Sequence, residues 1–405
     1  MLDTMVTAAK EPIFIVGAPR SGTTLLAAML AAHSELSCGP ETHFFRWLST
    51  TDPASLIQEQ NWPELAQEFL FSITLPNFSK NERTPLIEKY ELSKAEIQAY
   101  LGKQPPSIRA LLSSVTVPFM QRNHKKRWVE KTPDHINQLE LIRNYFPQSP
   151  IIRIMRDPRD VALSMTKVPW GAESILHALV AWKQMDLASD PFFEGDYNSY
   201  TLHFEDLLTS PQTTLHKLCE FIGEGYEENM LNTSSTGKQL NSANVAWKSK
   251  ASQPIDPSRI GVWRVELEPP QKLWAEALIG DRLRAHGYSL DESFEQVGEI
   301  IPGYSLAPKY AAELEILPFK NVRFWKLRKE ELTTVKVFLG DPSGEKWLAE
   351  HKAQSFIKAL QLAIGISLDR LRNNSIYWVR QDTQTKWSGY AAALLKKLLN
   401  PYQII

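Results

Sequence analysis

The stretch GAPRSGTT, residues 17–24, places Gly17 and Gly22 at a fixed spacing and follows them with Thr23 and Thr24. Residues of these types in this order hold an anion. Glycines let backbone N–H groups converge on one point, and hydroxyls stand at the start of a helix. The loop that grips nucleoside triphosphates has the pattern G-x-x-x-x-G-K-[ST], and its lysine reaches the β- and γ-phosphates. Here Thr23 stands where that lysine would be, and the basic residue, Arg20, sits inside the loop. Arg20, Ser21, Gly22, Thr23 and Thr24 can therefore cradle an anion, but the group that reaches the outer phosphates is gone. A nucleotide carrying a short 5' anion suits this loop better than a triphosphate.

A second set of residues can hold another anion. Arg156 follows the apolar run IIRIM, so it leaves the end of a buried strand, where open α/β sheets bind ligands. Its planar fork can take phosphate with two parallel hydrogen bonds. Ser164 lies about two helical turns further on and could approach the same anion if the chain reverses at Asp157-Pro158. Arg159 is expected to be structural, pairing with Asp157 or Asp160. For proton transfer, AAHSELSCGPETHFF offers Glu41 and His43. A glutamate, with an ordinary pKa of ~4.3, needs burial or a partner to act well as a base.

The elements that must position these residues alternate. IFIVG reads as a buried strand and SGTTLLAAMLAAH as a helix. ELSCG and KRWVEK read as short strands. PDHINQLELIRNYFP reads as a helix, with Ile136, Leu139, Ile142 and Phe146 at helical spacing. PIIRIMRDPRDVALSM repeats strand, turn and helix. YTLHFEDLL followed by SPQTTLHKLCEFIG does so again, with Ser210 as N-cap and Pro211 at the first helical position. Such alternation predicts an α/β, P-loop-like three-layer fold with a mostly parallel central sheet. Residues 52–120 read as a helical insertion without a strand, a wall or lid for a cleft. A helix should end near Gly287, and Trp263 should pack in the core. Residues 1–292 form the expected main domain. Residues 293–405 form a linker and a small α-rich C-terminal extension, with TTVKVFL as a strand and EKWLAEHKAQSFIKALQLAIGISLDRLR as a helix.

PRSGTTLL resembles the 5'-phosphosulfate motif of sulfotransferases that use 3'-phosphoadenosine 5'-phosphosulfate (PAPS). RDPRDVALS is similar to their 3'-phosphate motif, which implies that Arg156 and Ser164 grip that phosphate. The resemblance covers residues 12–290. CGPET resembles the tyrosylprotein sulfotransferase branch, whose glutamate at this spacing is the general base, which implies that role for Glu41. His43 ranks second as base, because the cytosolic small-molecule enzymes place their histidine elsewhere in the chain. The same branch carries a lysine after the strand equivalent to RWV, which implies that Lys131, with Arg20, steadies charge on the leaving oxygen. PAPS is then the co-substrate, adenosine 3',5'-bisphosphate the product, and no metal is expected. A loop in the region of 241–254 closes over PAPS in such enzymes; no residue there is assigned.

Composition narrows the alternatives. The 405 residues carry a formal net charge of -1, which gives no reason to expect nucleic acid. In 320–405, Lys and Arg outnumber Asp and Glu. That segment is a solvated basic face or a contact for a partner or a membrane surface. Two cysteines, Cys38 and Cys219, exclude a disulfide framework or a zinc cluster. The N-terminus lacks the basic and apolar runs of a signal peptide, and no apolar stretch reaches ~20 residues, so a cytoplasmic protein is expected. The aromatic stretch THFFRWLST suggests an acceptor with apolar surface, and packing explains Phe44, Phe45 and Trp47 equally well. The rival readings are a P-loop NTPase or kinase and a non-catalytic binder of adenosine 3',5'-bisphosphate. Acceptor class and oligomeric state are left open.

Overall fold

Ile13–Val16 form β1, four apolar residues with no exposed surface. A strand apolar on both faces belongs inside a sheet covered on both sides. In the computed structural model that is where it lies. The structure describes residues 10–77, 82–172, 175–240, 246–267 and 269–290, with Ile316–Leu317 and Tyr377–Trp378. Beside β1 the elements used below are α1 (Thr23–Ala32), β2 (Leu36–Cys38), α2 (Phe44–Leu48), β3 (Thr74–Asn77), β4 (Glu82–Pro85), α3 (Ile108–Arg122), β5 (Arg127–Lys131), α4 (Leu139–Tyr145), β6 (Ile151–Met155), α5 (Pro158–Met165), β7 (Ser199–His203), α6 (Pro211–Ile222), α7 (Ser234–Leu240) and α8 (Pro269–Ala285).

Two compact units make up the chain, Met1–Arg156 with Pro191–Pro257, and Asp157–Asp190 with Ser258–Ile405. The first holds a five-stranded sheet in the order β2-β5-β1-β6-β7, every pair parallel. Five of the strands read from the sequence are these. Phe14 packs edge-to-face against Phe45, Trp128 and Phe146 at 5.0–5.9 Å between centroids, contacts worth roughly 0.5–1.5 kcal/mol each. α1 is also well buried, Leu25 to Leu30 being 3% exposed or less. α7 and the 3-10 segment Ala246–Ser252 pack on it, and Thr236 Oγ1 donates to the Ala28 carbonyl at 2.8 Å.

Three expectations change in detail. The 52–120 region is not purely helical. It contains the antiparallel hairpin β3–β4, with Thr74 opposite Pro85. The prolines at 76 and 85 and the charges of Glu82 and Arg83 hid it, since none favours a strand. In the same region, α3 packs directly against β5 and β2, so that part is core. PDHINQ is a 3-10 segment, and the α-helix begins only at Leu139. After β7 the chain turns at once into a short helix, Phe204–Thr209, before α6 begins at Pro211.

In the second unit, Arg159 is structural as expected. Its guanidinium donates to Asp157 at 2.8 and 3.0 Å, to Glu276 on α8 at 2.7 Å and to the Ser289 carbonyl at 2.7 Å. It also lies 3.6 Å from the ring centroid of Trp263, which is buried. Asp160 accepts the N–H groups of Gly261 and Trp263, both at 2.9 Å. α8 ends near Gly287, which has φ 76. Asp186, Asp190 and His286 approach one another closely enough to suit a metal ion. Arg282 already donates to both carboxylates and supplies the positive charge there. Among the described residues no helix is long and apolar enough to cross a membrane. The expected linker, the TTVKVFL strand and the helix after it lie outside the described residues; Ile316–Leu317 and Tyr377–Trp378 pair antiparallel.

Candidate active site

The strand order gathers the predicted residues. β1, β2, β5 and β6 are parallel, so their C-terminal ends share one edge. Arg20 lies in the loop leaving β1, Glu41 follows β2, Lys131 is the last residue of β5, and Arg156 directly follows β6. β1 lies between β5 and β6, so the chain runs to opposite sides of it. At such a point the loops part and leave a crevice.

The loop after β1 is tightly set. A Cβ on Gly17 would fall 2.5 Å from the Ile154 carbonyl oxygen. Gly22 has φ 103, and a Cβ there would meet the Phe204 ring at 2.3 Å. Arg20 also takes a left-handed φ of 77, at a cost of roughly 1–2 kcal/mol for a residue with a side chain. Gly22 is the N-cap of α1 and has no side chain to cap it, so the positive end of the helix faces the loop. Ser21 is 1% exposed, and its Oγ has no hydrogen-bond partner among the described residues. A buried hydroxyl of this kind calls for a polar guest.

Arg156 meets this loop. Its Nη1 donates to the Arg20 carbonyl at 3.3 Å, and its guanidinium lies 4.7 Å from the Phe204 ring centroid. Phe204, which sequence reasoning missed, thus packs against both Gly22 and Arg156. Its position just past β7 was the available signal. Ser164 belongs to the second unit, where it is half-buried on α5.

On the other side of β1, Lys131 Nζ donates to Glu41 Oε1 at 2.5 Å. Lys131 is 2% exposed and Glu41 20%. A buried network fixes the backbone beside Glu41. Thr42 N donates to Thr132 Oγ1 at 3.0 Å, and the hydroxyls of Thr42 and Thr132 both donate to Glu130 Oε1. His135 accepts the Phe45 N–H at Nε2, which leaves Nδ1 to donate to Glu130 at 3.0 Å. Burial opposes charge on Glu130, yet His135 and the two threonines outweigh it and hold the carboxyl below its usual range. Gly39 is needed here, because a Cβ would sit 2.5 Å from the Tyr90 ring. Tyr90 in turn donates to the Pro40 carbonyl at 2.7 Å.

His43, the second candidate base, lies 3.5 Å from Glu41 by Nε2 and 3.1 Å from Asp134 by Nδ1. Burial alone would lower its pKa, but Asp134 and Glu41 raise it to about 9. The raised value makes His43 the poorer proton acceptor of the two. Lys89, also missed, feels Glu41; burial nevertheless lowers its pKa.

The profile of the Sulfotransferase family matches residues 12–228, more than half of the chain. The chain belongs to the sulfotransferase family. This sulfotransferase is 26% identical over 228 residues to Protein-tyrosine sulfotransferase 2 of Gallus gallus, a match covering 54% of this chain and 53% of that protein. It is 45% identical over 56 residues to Protein-tyrosine sulfotransferase 1 of Homo sapiens, covering 14% of this chain and 13% of that one. An uncharacterized protein of Aquifex aeolicus is 26% identical over 270 residues, or 63% of this chain and 30% of that protein. The chain spans about half the length, or less, of these curated relatives. Among solved structures, the sulfotransferase domain of the Synechococcus PCC 7002 olefin synthase matches 72% of this chain and 95% of its own. Its identity is 23% and its TM-score 0.45.

Proposed function

We propose that this sulfotransferase moves a sulfuryl group from PAPS to an acceptor hydroxyl or amine by in-line displacement. The observation that carries this reading is the meeting of Arg156 with the loop after β1. It sets a bidentate phosphate donor against an amide cradle, as a nucleotide with anions at both 5' and 3' positions requires. The partnerless Ser21 hydroxyl and the uncapped start of α1 fit an anion in that cradle. PAPS supplies the activated sulfuryl group; the residues hold and orient it. Gly22, Thr23 and Thr24 would bind the 5' side, and Arg156 the 3'-phosphate.

Glu41 takes the acceptor's proton as the new S–O bond forms. Lys131 and Arg20 hold the charge that collects on the departing phosphate oxygen, and adenosine 3',5'-bisphosphate leaves. Lys131 holds Glu41 until an acceptor and donor bind, so base and cation are paired before use. The test is direct. Purified protein is mixed with PAPS and a panel of phenols, alcohols, amines and peptides, and release of the bisphosphate is followed. Release with at least one acceptor class is expected. Absence of both PAPS binding and release, or turnover of magnesium-ATP in its place, would overturn the reading.

A further inference from the structure

Glu41 has two carboxylate oxygens, and each faces a nitrogen. Oε1 accepts from Lys131, and Oε2 lies 3.5 Å from His43 Nε2. The other ring nitrogen of His43 faces Asp134 at 3.1 Å, and Asp134 reaches Arg46 at 3.5 Å. Charges therefore alternate along Lys131, Glu41, His43, Asp134 and Arg46. A neutral imidazole has one N–H and one lone pair. Between two carboxylates its lone pair would point at an anion, so the arrangement favours an N–H on both nitrogens.

We infer that His43, held by Asp134, is a positioning residue that fixes the Glu41 carboxylate as a cation and leaves its other oxygen to serve as the base. The inference rests on the sulfuryl-transfer reading and deepens it. Lys131 must turn to the leaving oxygen during transfer. The contact with His43 on Oε2 does not depend on that turn. His43 thus supplies a second anchor. The cation weakens Glu41 as a base and orients it in return, and loss of orientation at a reacting group is the larger effect.

The backbone supports this aim. His43 has φ 50, a left-handed conformation rare for a residue with a side chain. Its N–H donates to Thr132 Oγ1 at 3.3 Å and its carbonyl accepts from Trp47 N. Strain of this kind persists where the surroundings overdetermine it. The charged groups facing His43 are Glu41 after β2 and Asp134 after β5. Arg46 on α2 faces Asp134, Lys131 faces Glu41, and Lys89 acts on Glu41 from beyond the hairpin. Asp134 is held below its usual range: burial opposes its charge, but His43, with Arg46 beyond it, outweighs that.

The test uses the full chain, PAPS and the best acceptor of the panel, with kcat and KM measured from pH 6 to 10.5. The wild type is expected to lose kcat at alkaline pH with a midpoint near 9, where His43 deprotonates. His43→Gln should lower kcat by about tenfold or more, lose the alkaline limb and leave the affinity for adenosine 3',5'-bisphosphate unchanged. His43→Arg, a permanent cation, should restore most of kcat. His43→Gln with wild-type kcat and pH profile, or His43→Arg as slow as His43→Gln, would overturn the inference. A second readout does not depend on turnover. In NMR of the histidine rings, the signal lost in His43→Gln should titrate near 9 and move toward the ordinary value in Asp134→Asn. A His43 signal titrating near 6.5 in the wild type would sink the inference even in an active enzyme. A wild type that turns over no acceptor would instead remove the sulfuryl-transfer reading on which the positioning role depends.

Discussion

Arg156 donates to the carbonyl of Arg20 at 3.3 Å, which joins the end of β6 to the loop that leaves β1. Two segments more than a hundred residues apart in the chain thus meet, and on the proposed reading each holds an anion. Arg156→Ala should weaken binding of adenosine 3',5'-bisphosphate by roughly 10–100-fold, the loss of charge-assisted hydrogen bonds. Calorimetric titration measures it. Arg156→Lys should recover part of the loss, since a point charge lacks the planar fork. Unchanged affinity in Arg156→Ala would remove the 3' grip.

Arg159 stands three residues away and should behave differently. Its partners Asp157 and Glu276 are 7% exposed. Arg159→Ala removes the guanidinium from which both buried carboxylates accept, at a cost of about 3–5 kcal/mol. The urea midpoint should fall accordingly, while molecules that remain folded bind the bisphosphate normally.

On the proposed mechanism, Glu41→Gln removes the base and keeps the shape. kcat should drop about 10²–10⁴-fold with bisphosphate affinity within a few-fold of the wild type. Lys131→Met should lower kcat too. The double variant should fall short of the product of the two single losses, because the side chains touch. Full additivity in rapid-quench kinetics would mean that they act separately.

Gly22→Ala should cost both stability and binding. The position has φ 103, and its Cβ would overlap the Phe204 ring. Either the loop or the ring must shift, and Arg156 leans on the same ring. A melting temperature several degrees lower is expected, with affinity lost beyond what unfolding explains.

The His43 ion pair also makes stability depend on pH. The group has a raised folded pKa, about 9 against 6.5. Its contribution is therefore complete below about pH 6.5 and is lost as the pH rises through 9. The shift sets an upper bound of roughly 3 kcal/mol, counted once for His43 and Asp134 together. Denaturant titrations at pH 6 and pH 10 should show the loss in the wild type, and a smaller one in His43→Gln.

The sequence disclosed most of the sheet and the residues that its strand ends gather. Buried parallel strands read as unbroken apolar runs, so IFIV and IIRIM could not be missed. The loop between Gly17 and Gly22 carried its own spacing, and Arg156 stood at the end of an apolar run. The hairpin β3–β4 was illegible, because its prolines and charges deny it a strand pattern. The link from His43 to Asp134 was also hidden. It depends on the parallel pairing that sets β2 beside β5, which brings residues 91 apart in sequence into contact. Local pattern carries no trace of such a distance.

The position of β1 has a consequence for synthesis. Its neighbours begin far downstream: Ile13 pairs with Val129, and Phe14 pairs with Ile151. A nascent chain therefore emerges from the ribosome with its most apolar strand unpaired until well over a hundred further residues have followed. Non-local closure of this kind is slow, and it leaves the early segment open to wrong partners. The loop after β1 cannot take its final form before β5 and β6 have been made.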